Sequence, residues 1–325
     1  MSSRQSNAPA PAQSAIRIIV IGATGHIGTF LVPRLVAAGH EVIAASRGTR
    51  EPYQPHRAWA EVERVRIDRS TEEAAGTFGD RIAALRPDVV IDLICFTLES
   101  AQHLVQALRK RDPLLLHCGT TWVHGHSTIV PTVESLPREP FGDYGIRKAA
   151  IEKWLLEAAR REGIRAAILH PGHIVGPGWP PLNPAAHFDP AVFTRLANGE
   201  ELILPNLGME TVHHVHADDV AQAFELAVTN ADPAVGESFH VCSPAAMTLR
   251  GYAEAMAAHF GQRARLAFLP WDEWRRTVTD AQATATWDHI AHSPNCSIAK
   301  ARERLGYTPR YTSLEAVIES VEALV

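Results

Sequence analysis

The sequence has few cysteines, no long apolar run and no cluster of positive charge. Its 325 residues contain four cysteines, Cys95, Cys118, Cys242 and Cys296, and no C-x-x-C pair. We therefore expect reduced thiols in a cytoplasmic protein. No apolar run approaches the ~20 residues of a membrane-spanning helix, which argues against a membrane protein. The net charge is −5 and the basic residues are scattered, which argues against a nucleic-acid partner.

The remaining composition is that of an ordinary globular protein, with 46% hydrophobic residues. Residues 1–15, rich in Ser, Ala, Pro and Gln, contain no continuous apolar segment, so we predict a disordered tail and not a signal peptide. At ~150 residues per domain, the length suggests two lobes. We expect the first at 16–175, with 213–242 returning to it, and a smaller lobe at 176–212 and 243–325.

The strongest motif is a glycine turn between a strand pattern and a helix pattern. An apolar run at 16–21 leads into Gly22-Ala23-Thr24-Gly25-His26-Ile27-Gly28 and then into an amphipathic stretch. Glycines let the backbone approach a ligand, and the free N–H groups and positive dipole of the first helical turn face anionic oxygens. The spacing is a variant of the dinucleotide fingerprint. A tight turn without ligand is the alternative; the flanking strand and helix favour a pyrophosphate site formed by Gly22, Thr24, Gly25, His26, Ile27 and Gly28.

Strand patterns at 41–45, 63–67, 88–94 and 114–118 alternate with helical patterns. This alternation predicts an α/β fold with a doubly wound parallel sheet, the Rossmann type. The second strand ends at Ser46-Arg47, where a hydroxyl and a guanidinium in place of a carboxylate suit a 2′-phosphate and favour NADP(H), with NAD(H) as the alternative. A solvated loop arginine explains Arg47 equally well. Asp68, which ends the third strand, either lies near the adenine or caps a helix.

A second constellation follows the fifth strand. Thr120 lies where that strand ends, at the sheet edge where ligands bind in open parallel sheets. Tyr144 and Lys148 are four residues apart on a predicted helix and therefore share one face. A nearby ammonium lowers the pKa of a phenol, so this pair can exchange a proton with a substrate oxygen, which the Thr120 hydroxyl can also contact.

With the glycine turn, Thr120 and the Y-x-x-x-K pair in this order, the chain resembles the extended short-chain dehydrogenase/reductase superfamily, the NAD-dependent epimerase/dehydratase family. The resemblance covers nearly the whole chain after residue 15. It implies a Rossmann domain with a smaller C-terminal substrate lobe, and catalytic roles for Thr120, Tyr144 and Lys148. It also implies that Tyr144, Lys148, Pro171 and His173 contact the cofactor, and that a homodimer can form through the Tyr144 helix.

The chain departs from the family pattern at three places, which involve four residues. Thr121 and Trp122 stand where dehydratases of the family carry Asp and Glu, which disfavours dehydration. Val212 stands where nucleotide-sugar epimerases carry a diphosphate-binding arginine. His124 replaces the usual tyrosine before Gly125. Candidates for the substrate pocket are Thr121, Trp122, His124, Trp179 and His187.

The run His213-His214-Val215-His216 raises the question of a metal. On a strand, His214 and His216 share one face and His213 points to the other, and no Cys or carboxylate completes a set at ligand spacing. We expect no metal site and a satisfied or pocket-lining role for these imidazoles.

The sequence thus predicts an enzyme that transfers hydride between a nicotinamide cofactor and a secondary alcohol or ketone, sugars included, as its small-molecule substrate. A sugar 4-epimerase is the first alternative. A protein of this fold that senses a dinucleotide without turnover is the second.

Overall fold

The computed structural model describes residues 15–324 and contains thirteen strands in that range. The predicted tail at 1–15 therefore lies almost wholly outside the described residues. In chain order the strands are β1 Arg17–Ile21, β2 Glu41–Ser46, β3 Glu63–Arg66, β4 Val89–Asp92, β5 Leu114–Cys118, β6 Ala166–Pro171, β7 His173–Val175, β8 Glu201–Pro205, β9 Thr211–Val212, β10 His214–His216, β11 Ser238–Val241, β12 Met247–Thr248 and β13 Arg265–Leu269.

Thirteen helices accompany these strands within residues 15–324, besides short 3₁₀ turns at Arg57–Ala60 and Thr121–His124. None of these helices is both long enough and apolar enough to cross a membrane. They are α1 His26–Ala37, α2 Arg69–Ala74, α3 Phe78–Ala84, α4 Leu98–Leu108, α5 Gly142–Glu162, α6 Ala191–Ala197, α7 Ala217–Thr229, α8 Ala231–Ala234, α9 Leu249–His259, α10 Trp271–Trp274, α11 Asp280–His292, α12 Ala299–Leu305 and α13 Ser313–Glu322.

Seven strands form one parallel sheet in the order β11-β6-β5-β4-β1-β2-β3. Its central strands are apolar on both faces, as Ile18 to Ile21 and Val89 to Ile91 illustrate, because helices cover both sides. The predicted doubly wound Rossmann fold is confirmed. The carboxyl ends of β1, β4, β5 and β6 meet at one edge, where ligands bind in such sheets.

A third apolar core lies in the C-terminal part of the chain. It joins β8 and β9 to α6, α9, α11 and α13 around Tyr252, Met256 and Trp274. Two of these helices begin with a capping box, at Thr279 and Thr312, in which the threonine hydroxyl and a side chain three residues later satisfy the free N–H groups of the helix end. Residues 214–241 lead back to the large sheet, since β11 pairs with β6 and α7 packs on α1.

Two segments of the chain have weak periodic patterns in the sequence. Residues 72–86 show a helical pattern interrupted by Gly76 and Gly79, and the structure has the two helices α2 and α3 here, with Gly76 in a left-handed conformation (φ +69°) after the end of α2. The segment 261–295, which shows no clear periodicity, contains β13, α10 and α11.

Candidate active site

The glycine turn is a closely packed backbone structure with little room for side chains. A Cβ atom at Gly22 (φ +86°) would lie 2.8 Å from Ile94 Cγ2, and one at Gly28 would lie 2.1 Å from the Ala23 carbonyl oxygen. Thr29 N–H is the first amide bonded within α1, to Gly25 O, and no side chain caps the helix. The amides of the first turn are thus available to a diphosphate, and this donor set fits a dinucleotide.

The side chains of the turn point mainly inward. Ile27 and His26 are each 7% exposed. The His26 ring stacks on Trp179 with ring centroids 5.1 Å apart and meets Tyr53 at 5.7 Å. Burial is the main cause that lowers the pKa of His26 to about 3, so this ring is neutral and acts as a packing surface.

A cleft of about 420 Å³ opens beside the turn. Gly22, Thr24 and Gly25 line one side, and Ser46, Arg47 and Asp68 lie among the residues of the other. Arg47 is exposed, and the Ser46 hydroxyl accepts a hydrogen bond from Gly48 N–H at 3.3 Å. Asp68 lines the cleft and caps α2, because its carboxylate accepts a hydrogen bond from Thr71 N–H at 3.1 Å. The helix cap, one of the two roles predicted for Asp68, is therefore present.

An ion pair that the sequence analysis did not anticipate lies at the floor of this cleft. Arg69, 8% exposed, donates to both carboxylate oxygens of Asp92 at 2.7 and 2.9 Å. Burial acts against the charge, but Asp92 raises the pKa of Arg69 above its ordinary value. Asp92 therefore has the structural partner that a buried carboxylate needs.

Tyr144, Lys148 and Thr120 come together where β5 ends. Thr120 follows that strand, and its hydroxyl accepts from Trp122 N–H at 3.3 Å. Lys148, 2% exposed, donates from Nζ to Cys95 O and Cys118 O, both at 2.7 Å. Tyr144 is 43% exposed, and its ring meets the Trp122 ring edge-on at 5.9 Å.

The protonation of Tyr144 differs from the sequence-based expectation. Burial, followed by Cys118, raises the pKa of Tyr144 to about 12, while the Thr120 hydroxyl lowers it. The Lys148 ammonium is bound to two carbonyl groups, and burial lowers its own pKa. Tyr144 as a whole is partly exposed, but the surroundings of its hydroxyl dominate, so Lys148 does not lower the phenol pKa below its ordinary value in this state.

Aromatic and imidazole rings form a wall beside Tyr144. His289 lies 5.2 Å from Trp122, 5.3 Å from His173 and 5.8 Å from Phe188, as ring centroids. The His289 Nδ1–H donates to Ala285 O at 2.6 Å, which leaves Nε2 as an acceptor. Burial lowers the pKa of His289 to about 4 and that of His173 well below its ordinary value, so both rings are neutral near pH 7.

Three residues that were predicted to line the substrate pocket make their contacts elsewhere than at this wall. Trp179 packs on His26 at the glycine turn. His187 accepts from Asp189 N–H at 3.2 Å inside its own loop. His124 is buried, with Nε2 2.9 Å from His240 Nε2. Of the other predicted residues, Thr121 is buried beside Trp122, and Pro171 ends β6 opposite Val241.

Within residues 15–324, His213, Cys242 and Cys296 form a buried group whose potential ligand atoms lie within 4.8 Å of one another. Both imidazole nitrogens are already engaged: Nδ1 accepts from Cys296 N–H at 3.0 Å, and Nε2 lies 2.9 Å from Ser243 O. The four cysteines are free thiols. The sequence spacing did not indicate this group, because its members are distant along the chain.

A Rossmann sheet that carries a glycine turn, and a threonine, a tyrosine and a lysine at the same edge, is the arrangement of a dinucleotide-dependent enzyme. The model of the NAD dependent epimerase/dehydratase family matches residues 18–242, so the chain belongs to that family, as its sequence motifs predict. It is an NAD(P)-dependent oxidoreductase or epimerase of the extended short-chain dehydrogenase/reductase type and uses a nicotinamide cofactor.

Named relatives extend over most of the chain. The 2'-dehydrokanamycin reductase of Streptomyces kanamyceticus is 28% identical over 86% of this chain and 78% of its own. The dTDP-6-deoxy-L-talose 4-dehydrogenase (NAD(P)(+)) of Kitasatospora kifunensis is 26% identical over 95% and 96%. The UDP-glucose 4-epimerase structure of Thermotoga maritima superposes with a TM-score of 0.71 at 21% identity, over 95% of this chain and 98% of that one.

Proposed function

We propose that the protein is an NADP(H)-dependent reductase, acting reversibly on a ketone or secondary alcohol of a sugar-like ring. The observation that carries this proposal is that Thr120, Tyr144 and Lys148 meet at the end of β5, where Lys148 Nζ binds Cys118 O and the Tyr144 ring lies beside Trp122, at the sheet edge that also holds the glycine turn. The relatives named as a sugar-type reductase and dehydrogenase support the same reaction class.

Each residue of the trio has a distinct part in this proposal. Bound nicotinamide supplies or accepts hydride. Tyr144 donates its proton to the carbonyl oxygen, and its raised pKa keeps the phenol protonated for that step. Thr120 donates a hydrogen bond to the same oxygen. Lys148 supports the end of β5 through Cys118 O and lies one helical turn from the phenol.

The preference for NADP(H) rests on Ser46 and Arg47. Both line the cleft at the end of β2, where the adenosine ribose binds in this fold, and neither is acidic. A guanidinium suits a phosphate group. A thermal-shift comparison tests this preference, and we expect NADP(H) to stabilise the protein more than NAD(H) does. A panel of carbonyl compounds is then assayed with the better cofactor.

Arg57→Ala is a matched control for Arg47→Ala, since Arg57 is exposed but lies outside the residues that line the cleft. We expect Arg47→Ala to remove the difference between the two cofactors and Arg57→Ala to preserve it. Equal stabilisation of the wild-type protein by NAD(H) and NADP(H) would overturn the preference.

The substrate class is proposed from the wall formed by Trp122, His173, Phe188 and His289. Neutral imidazoles offer hydrogen bonds to hydroxyl or amino groups, and aromatic faces pack on the C–H face of a ring. The residue in the position of the diphosphate-binding arginine, Val212, is 1% exposed in β9 and offers no charge. We therefore favour a hydroxylated ring without a nucleotide.

A sugar 4-epimerase remains the second candidate, favoured by relatives named UDP-glucose 4-epimerase. A reductase consumes NADPH, whereas a 4-epimerase causes no net redox change. Purified protein that retains cofactor and interconverts epimers without consuming NADPH would establish the epimerase. The cytoplasmic location and the homodimer stay predictions.

A further inference from the structure

The backbone of Thr120 is hydrogen-bonded to a buried imidazole on the neighbouring strand. Thr120 N–H donates to His170 Nδ1 at 2.9 Å, and His170 is 0% exposed. The packing between the two strands is close, since a Cβ atom at Gly119 would lie 2.2 Å from that same Nδ1. The imidazole therefore fixes the peptide that delivers the Thr120 side chain to the site.

The other nitrogen of this ring contacts a carboxylate from α5. His170 Nε2–H donates to Glu152 Oε1 at 3.0 Å, and Glu152 is 2% exposed. Arg138 holds the carboxylate with two bonds, from Nη2 at 2.7 Å and from Nε at 3.0 Å. Because Nδ1 accepts and Nε2 donates, the contacts specify one neutral tautomer of His170.

Glu152 lies on the helix face that carries the catalytic candidates. Tyr144, Lys148 and Glu152 are spaced by four residues along α5 and so form one stripe. Lys148 binds Cys118 O, and Glu152 reaches Thr120 N–H through His170. The helix is thus tied to the end of β5 on both sides of Gly119, which sets the distance between the Thr120 and Tyr144 side chains.

We propose that His170, oriented by Glu152 and Arg138, is a positioning residue that sets the Thr120 hydroxyl against the carbonyl oxygen. The proposal rests on the proposed function for its kinetic consequence. Its structural part, the bond from Thr120 N–H to His170 Nδ1, can be tested without turnover.

Two substitutions separate the two bonds of the ring. In His170→Asn the amide oxygen occupies the place of Nδ1 and keeps the bond to Thr120, but the side chain is too short for Glu152. In His170→Gln the amide nitrogen reaches Glu152 and the bond to Thr120 is lost. Phe239→Leu is the control, because Phe239 is a fully buried residue of the adjoining strand β11 with no part in these bonds.

We expect His170→Gln to lower kcat by on the order of tenfold or more, since small displacements at a reacting centre are costly. His170→Asn keeps the bond to Thr120 but loses the tie to Glu152, so it should lower kcat several-fold less than His170→Gln does, and both variants should keep the KM for NADPH. Phe239→Leu should lower the melting temperature without a change in kcat. Equal losses of kcat in both His170 variants, in proportion to their melting temperatures, would overturn the proposal.

Nuclear magnetic resonance supplies the readout that needs no substrate. In the wild-type protein, His170 should carry its proton on Nε2 alone, and amide exchange at Thr120 should be slow. Exchange should accelerate in His170→Gln and stay slow in His170→Asn. A proton on Nδ1 of the wild-type ring would overturn the proposal even if neither variant folded. Loss of the proposed function would instead show as activity retained in Tyr144→Phe, with the Thr120 amide still protected.

Discussion

The two sides of the proposed active site are built in different ways. The cofactor side is a run of seven residues, Gly22 to Gly28, in which close backbone packing leaves no room for a side chain at Gly28. The side next to Tyr144 is a wall of Trp122, His173, Phe188 and His289, which come from four separate parts of the chain. The first side is set by residues that are adjacent in the chain, whereas the second depends on tertiary packing.

Tyr144→Phe gives the largest expected effect, at the junction of the two sides. Loss of the phenolic proton should reduce kcat for ketone reduction by about 10²- to 10⁴-fold, the range for a general acid. The affinity for NADPH should change little, because the ring and its edge contact with Trp122 are kept. Single-turnover kinetics measure the rate of ketone reduction, and a titration with NADPH measures the cofactor affinity. Undiminished turnover in Tyr144→Phe would remove the tyrosine from the mechanism.

Gly28→Ala tests the local side. The added Cβ would meet the Ala23 carbonyl oxygen at 2.1 Å, so we expect a loss of about 1–3 kcal/mol in the free energy of unfolding. The stabilisation by NADPH should also disappear, because the turn must move. Denaturant unfolding with and without NADPH measures the two effects.

Gly251→Ala is the control in the C-terminal part of the chain, where a Cβ would approach only Thr248 Oγ1, at 3.1 Å. It should leave cofactor binding intact. A Gly28→Ala protein with normal cofactor stabilisation would contradict the proposed role of the turn.

Acid should destabilise the protein through its buried imidazoles. Burial is the main cause that lowers the pKa of these rings from 6.5 to about 3 or 4, so the folded protein binds fewer protons than the unfolded chain below pH 6.5. The stability they contribute is present above that pH and is lost as pH falls toward 4. The rings are His26, His124, His187, His214, His289 and His292.

The measurement is the melting temperature between pH 7.5 and pH 4.5 at constant ionic strength. We expect a steady decrease that begins below pH 6.5, before most carboxylates titrate. A constant melting temperature down to pH 5 would show that these rings are not buried as neutral groups.

His289→Phe tests the tertiary side with the smallest expected effect. The substitution keeps a ring against Trp122 but removes the Nε2 acceptor, and one hydrogen bond of about 1 kcal/mol corresponds to roughly a fivefold higher KM for the substrate. The affinity for NADPH should not change. Trp287→Phe, at a residue of the same helix that is 48% exposed, is the control. An unchanged substrate KM in His289→Phe would exclude this imidazole from the pocket.

The strand and helix patterns of residues 16–118 predict the Rossmann sheet because its central strands are buried on both faces and alternate with helical patterns. The segment 261–295 resisted the same approach. The α11 helix is stabilised by a capping box at Thr279 and by packing on the core around Trp274. Only part of one face of this helix is apolar, so its sequence shows no clear helical period. His289 of α11 lies beside Trp122 although the two residues are far apart in the chain, and no local sequence pattern indicates this contact.

The sequence by itself determined the glycine turn, the family and the presence of Thr120, Tyr144 and Lys148, since each depends on short spacings along one strand or helix. Only the tertiary structure decided that Trp179 packs on His26, that His289 lies beside Trp122, and that His170 joins Thr120 to Glu152. Such contacts join residues far apart in the chain, and burial sets their protonation as well as their position. Spacing in the sequence carries neither kind of information.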